Sequence, residues 1–152
     1  GAPLVIVDYA HSPDALEQTL RALREHASGR LWCVFGCGGD RDRAKRPLMG
    51  RIAWEHADEV LLTSDNPRSE DPLAILAAIR AGVPEAALEA EREVAVAHAV
   101  LRADVADVVL VAGKGHEPYQ EIMGAAGLVR RPYSDIEAVA RALQQRAGSM
   151  AA

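Results

Sequence analysis

The chain has 152 residues, enough for one domain with a sizeable core. Apolar residues make up 49%, charged residues 26%, and the formal net charge is −5, a globular composition that excludes a disordered or fibrous chain and disfavours a broad nucleic-acid-binding surface. The longest apolar runs, "LVIV" and "VVLVA", are strand-sized and fall far short of the roughly 20 residues a spanning helix needs. No signal-peptide start is visible, and a cytoplasmic, membrane-free protein is expected.

Short Val/Leu/Ile runs alternate with segments of helical period, the pattern of parallel strands joined by crossover helices. A strand is expected at 4–9 and a helix at 12–26, with Ser12 as N-cap, Pro13 at the first helical position and an apolar stripe at Leu16, Leu20 and Leu23. A second strand follows at 31–35, a short helix opening at Pro47 and running to Ala57, and a third strand at 59–63. Helices at 72–81 and 91–103 flank a short strand near 87–90, and another buried strand covers 107–112. "EIMGAAGLVRR" reads as a hairpin, so an antiparallel edge strand is expected to cap the sheet. Ser134 and Glu137 form a capping-box pattern ahead of a last helix at 134–147, and "GSMAA" is expected to fray. The fold class is therefore α/β: a Rossmann-like open, mostly parallel sheet with helices on both faces and an antiparallel edge strand, in a single domain over 1–152.

Ligands of open α/β sheets sit outside the carboxyl ends of the strands. Four loops leave those ends, "DYAHSPD" (8–14), "GCGGDRDRAKRP" (36–47), "SDNPRSEDP" (64–72) and "GKGHEPYQE" (113–121), and they hold most of the unusual polar residues. The Gly-rich loop is neither a P-loop nor a dinucleotide fingerprint, since Arg41 occupies the third glycine position of the latter. It stands open between a solvated loop and an anion cradle in which Arg41 is best placed. In the first loop, Asp8 is placed for ribose hydroxyls and His11 for phosphate at a helix N-terminus, against the plainer reading of turn and helix caps. Pro67 stiffens "DNPR", presenting Asn66 and Arg68 in a set geometry, and the guanidinium fork of Arg68 matches a carboxylate. The alternative is an ordinary Asn-Pro turn with a surface Arg. Glu117 and the carbonyl of Gly113 suit an ammonium group, and H-E-x-x-H zinc chemistry is discarded because Gln120 fills the last position. Cations (Arg41, Arg68) beside anions (Asp65, Glu117) suit a zwitterion such as an amino acid. Of the two cysteines, Cys33 reads as buried and Cys37, in the Gly-rich loop, as exposed; neither reads as a zinc or disulfide partner.

"VDYAHSPDAL", "FGCGGDRDRAKRPLMG", "SDNPR" and "VAGKGHEPYQ", in this order, resemble the C-terminal domain of the Mur ligases over nearly the whole chain. The resemblance implies ATP-dependent, ADP-forming amide-bond synthesis in peptidoglycan assembly, and the Asp-Asn-Pro-Arg stretch resembles that of members which add meso-diaminopimelate to UDP-N-acetylmuramoyl-L-alanyl-D-glutamate. It implies amino-acid binding by Arg41, Asp65, Asn66, Pro67, Arg68, Gly113 and Glu117, and an ATP side formed by Asp8, Tyr9 and His11. Catalytic residues, the magnesium ligands and the UDP-sugar site are implied to lie in central and N-terminal domains, so ATP and Mg2+ belong to the full-length enzyme and no metal ligand is assigned here. The chain alone is expected to catalyse nothing. Competing readings are the C-terminal domain of another Mur or folylpolyglutamate-type ligase and a stand-alone nucleotide-binding module.

Overall fold

The computed structural model describes residues 1–151. Its elements run β1 (Leu4–Asp8), α1 (Pro13–Arg24), β2 (Leu31–Phe35), α2 (Lys45–His56), β3 (Glu59–Leu62), α3 (Pro72–Arg80), β4 (Ala87–Leu88), α4 (Arg92–Arg102), β5 (Val108–Ala112), β6 (Tyr119–Gly124), β7 (Gly127–Pro132) and α5 (Asp135–Ala151). The main sheet has the order β1-β5-β2-β3-β4, and all its pairings are parallel. From β1 through β2 and β3 to β4 the chain advances across the sheet, and from β4 to β5 it turns back. Right-handed crossovers then put the outgoing helices on one face and the returning helix on the other. Two cores follow: α1, α2 and α3 cover Leu31, Cys33, Phe35, Val108 and Leu110, while α4 and α5 cover Trp32, Val34, Val109 and Val111. Strands buried on both faces explain why β2 and β5 are apolar throughout rather than alternating.

The capping expectations hold at α1, where the Ser12 side chain accepts from the Ala15 N–H and Pro13 opens the helix. Only half of the capping box forms at α5: the Glu137 N–H donates to Ser134 Oγ at 3.3 Å, while the Glu137 carboxylate turns to Arg141. Three expectations need correction. The hairpin β6-β7 is its own two-stranded sheet rather than an edge of the main one. It is held to the core by loop 64–72, through an isolated bridge between Arg68 and Ile122, and not by a strand partner. The helix α2 starts at Lys45, two residues before Pro47. Finally, residues 148–151 continue α5, because one Gly and one Ser cost a helix only about 1 kcal/mol and Arg146 pins the preceding turn to the carbonyls of Gly1, Val100 and Ala103. Residue 152 lies outside the described residues. No helix is long and apolar enough to cross a membrane among the described residues.

Candidate functional site

Because every strand of the main sheet runs the same way, the four polar loops emerge on one rim, and they enclose a cavity of about 390 Å³. Its lining carries three cationic side chains, Arg41, Lys45 and Arg68, and three carboxylates, Asp42, Asp65 and Glu117. Such a balance suits a ligand with charges of both signs better than a polyanion. Tyr9, His11, Asn66 and Gly113 also line it, whereas Asp8 and Pro67 do not.

The Gly-rich loop is clamped rather than solvated. A Cβ at Gly39 would collide with the Pro67 carbonyl, so the two loops approach through bare backbone, and the Gly39 N–H donates to Asn66 O at 2.8 Å. Asp40, at φ 56, accepts from the Ser69 hydroxyl and N–H at 2.5 and 3.2 Å. Beneath them the buried Arg46 forms a two-pronged pair with Glu70 at 3.1 and 2.6 Å. Neither partner was assigned a role from sequence, since the pair spans 24 residues and only the fold brings it together.

The hydrogen bonds from Arg46 and the Asp40 N–H, with the charges of Arg46 and Arg43, hold the Glu70 carboxyl at about 2, against an ordinary 4.5. A carboxyl depressed by folding stabilises above its ordinary value and loses that contribution as pH falls through its folded value. The acid limb of thermal stability between about pH 4.5 and 2 is therefore expected to be shallower for Glu70→Gln than for the unaltered chain. Melting temperatures across that window check it, and parallel limbs would remove Glu70 from the account.

The second half of the site is organised by a buried lysine that the sequence reading left without a role. Lys114 Nζ donates to Glu117 Oε1 and Asn66 Oδ1, each at 2.8 Å, and to Asp65 Oδ1 at 3.3 Å. Asn66 Nδ2 donates to the same Glu117 oxygen at 2.9 Å, and Asn66 Oδ1 also accepts the Glu121 N–H at 2.9 Å. These bonds fix the orientation of the amide and engage only one oxygen of Glu117. Burial pushes the Glu117 carboxyl up, but the hydrogen bonds from Lys114 and Asn66, with the charges of Lys114 and Arg68, outweigh it and hold the group below its ordinary range. Gly113 has φ 119, and a Cβ there would stand 2.6 Å from Asp65 Oδ2, so the turn requires glycine on both counts.

Arg68 also has a left-handed backbone, at φ 51. Its Nη1 donates to Gly39 O at 2.8 Å, and its Nη2 lies 3.3 Å from Glu121 Oε1. Arg41 has a lighter tether, one bond to Asp40 O at 2.9 Å. At the β1 end of the same rim the exposed Tyr9 ring meets His11 edge-on at 4.8 Å, and Lys45 Nζ donates to His11 O at 2.9 Å. Asp8 uses its carboxylate internally, accepting the Ala10 N–H at 2.9 Å, and its carbonyl accepts from Gly113 and Gly115.

Cys37 corrects an expectation. It is buried at 2% exposure, with its thiol against Met49 Sδ at 3.7 Å, because the clamped loop folds inward over α2. Burial pushes both thiols up to about 12. Neither cysteine should react with Ellman's reagent in the native state at pH 8, and rapid native labelling of one thiol would contradict this.

Residues 1–115 match the model of the family described as Mur ligase, glutamate ligase domain. The chain is 59% identical over 145 residues to the UDP-N-acetylmuramoyl-L-alanyl-D-glutamate--2,6-diaminopimelate ligase of Chromobacterium violaceum, covering 93% of this chain and 29% of that protein. A solved UDP-N-acetylmuramoyl-L-alanyl-D-glutamate--2,6-diaminopimelate ligase superposes with a TM-score of 0.87 at 46% identity, covering 93% of this chain and 29% of that one. A bifunctional folylpolyglutamate synthase/dihydrofolate synthase from Yersinia pestis, solved with AMPPNP and Mn ion, gives 0.59 at 27%, covering 73% of this chain and 26% of that one. The chain thus spans under a third of the length of these relatives. By sequence, fold and the loops that build its rim, it belongs to the Mur ligase family, as the glutamate ligase domain.

Proposed function

We propose that the chain is the amino-acid-binding C-terminal domain of a three-domain, ATP-dependent ligase that adds meso-diaminopimelate to UDP-N-acetylmuramoyl-L-alanyl-D-glutamate. The carrying observation is the charge layout of the cavity: Arg41 and Arg68 share one pocket with Asp65 and Glu117. Diaminopimelate bears an ammonium and a carboxylate at each end, so it needs both signs within a short span. Arg41 and Arg68 take carboxylate, Asn66 assists, and Pro67 stiffens the turn that presents them. The Gly113 carbonyl and the uncommitted oxygen of Glu117 take an ammonium group, with Asp65 alongside. Lysine lacks the distal carboxylate, and a withdrawn guanidinium without that partner disfavours it.

ATP is assigned to the β1 end of the rim, where Tyr9 offers an exposed ring and His11 and Lys45 line the cavity, with Asp8 holding the turn beneath them. When bound, ATP would give its γ-phosphoryl group to the substrate carboxylate with release of ADP, and the amine would then displace phosphate to leave the amide. Magnesium ligands belong to the other domains in this reading, which also puts the reaction in the cytoplasm, where ATP and the nucleotide-linked precursor meet.

The test is a competition. The intact ligase carrying this domain, supplied with MgATP and UDP-N-acetylmuramoyl-L-alanyl-D-glutamate, is offered meso-diaminopimelate and L-lysine at equal concentration, and products are separated by mass. The diaminopimelate product is expected to dominate by about 10²-fold or more. Equal incorporation would refute the assignment of Arg68, and no ADP release with either amine would refute the ligase reading.

A further inference from the structure

Arg68 already has a carboxylate beside it, one that sequence reasoning did not single out. Glu121, on β6, reaches Arg68 Nη2 at 3.3 Å across 53 positions of sequence, and both side chains are largely withdrawn from water, at 13% and 24% exposure. The placement is built by the backbone. The Arg68 N–H donates to Glu121 O at 3.0 Å, the Glu121 N–H donates to Asn66 Oδ1 at 2.9 Å, and Arg68 bridges to Ile122. Both main-chain polar groups of Glu121 are thus held by the segment that carries Arg68, which fixes where its side chain leaves the hairpin. The other hydrogen bond of the guanidinium goes to a neutral group, the Gly39 carbonyl, and Glu117 acts on it through charge without a hydrogen bond.

We propose that Glu121 is a resident counter-ion that shares Arg68 with the ligand's carboxylate and thereby tempers how strongly the site rejects an amino acid lacking one. The inference rests on the reading of Arg68 given above. A guanidinium shielded from water requires an anion. Were the ligand the sole source, a mono-carboxylate amine would leave the charge unpaired and discrimination would be greatest. With Glu121 in place, Arg68 keeps a partner whichever amine binds, and an incoming carboxylate meets a cation already partly neutralised. Deleting the charge of Glu121 while keeping its acceptor should sharpen both affinity and selectivity.

Glu121→Gln does this, since the amide oxygen can still accept from Arg68 Nη2, whereas Glu121→Ala removes charge and acceptor together. In the intact ligase, the ratio of kcat/KM for meso-diaminopimelate to that for L-lysine should rise roughly fivefold in Glu121→Gln, with KM for ATP and for the UDP-linked substrate unchanged. The Ala variant should fall below the Gln variant. A Gln variant that matches or falls below the unaltered enzyme would make Glu121 an orienting residue only and overturn the proposal. Arg68→Lys separates the two layers: if it keeps full preference for diaminopimelate, the reading of Arg68 itself fails, whatever Glu121 does.

Discussion

In the intact ligase, Arg68→Lys is expected to lower kcat/KM for meso-diaminopimelate by about 10²-fold, close to 3 kcal/mol, while leaving turnover of L-lysine nearly unchanged. The substitution keeps the charge and removes the planar fork, so it isolates the geometry on which the proposed carboxylate recognition depends. Lysine is also the right replacement for the backbone. Arg68 sits at φ 51, a conformation that costs an L-residue on the order of 1–3 kcal/mol and is sustained here by the bonds from Arg68 N to Glu121 O and from Glu70 N to Pro67 O. A glycine would relieve that strain and add conformational freedom, mixing a backbone effect into the result; lysine bears the same strain as arginine. The ratio of the two amino acids is the decisive quantity, because a general loss of stability or of ATP binding would lower both rates together. A variant that is slower with both amines and keeps its preference would show that Arg68 supports the loop without reading the carboxylate.

Most of the fold was readable because it is written in local terms. β2 and β5 are unbroken apolar runs, Ser12 and Pro13 mark the start of α1, and residues of opposite parity along the strands feed the two cores. The rim was readable for the same reason: a rule about carboxyl ends of parallel strands converts four loops into one site. What escaped depends on pairs distant in sequence. Lys114 looks like a flexible loop lysine until the fold brings Asp65 and Asn66 against it, 49 and 48 positions away. Arg46 with Glu70, and Arg68 with Glu121, are hidden likewise, and so is the burial of Cys37, which follows from the clamp on its loop. The misplaced hairpin has a different cause. Local alternation and glycines announce two antiparallel strands, but nothing local states which sheet they join, and here the partner is the loop around Arg68.

The largest stability effect is expected beneath the site, at Arg92. This side chain is buried at 1% exposure; its Nε and Nη2 donate to the two oxygens of Asp135 at 2.8 Å each, and its Nη1 and Nη2 to the carbonyls of Ser64 and Ala112 at 3.2 and 2.9 Å. Burial works against the charged guanidinium, yet the hydrogen bonds and charge of Asp135 outweigh it and raise its pKa, so Arg92 stays cationic. Tyr133 completes the cluster by donating to Asp135 Oδ1 at 2.7 Å. In Asp135→Asn the buried cation would lose its hydrogen-bonded counter-ion and keep only the more distant charge of Asp65, at a cost of about 3–5 kcal/mol. A chain of this size should then melt lower by roughly 6–20 °C. Arg92→Met strands the opposite charge at similar cost, and Arg92→Met with Asp135→Leu should lose less than the two singles together, because no unpaired ion is left. Additive losses would mean that the two residues act separately. The cluster also bears on the cavity, since Ser64 and Ala112 directly precede Asp65 and Gly113. Arg92 ties the end of β5 to the chain leaving β3, and so sets the spacing of two loops that supply the carboxylate and the glycine of the rim. Asp135→Asn should therefore weaken amino-acid binding in the intact ligase at temperatures where the domain is still folded, and a variant that melts early yet keeps its KM would confine Arg92 to the core.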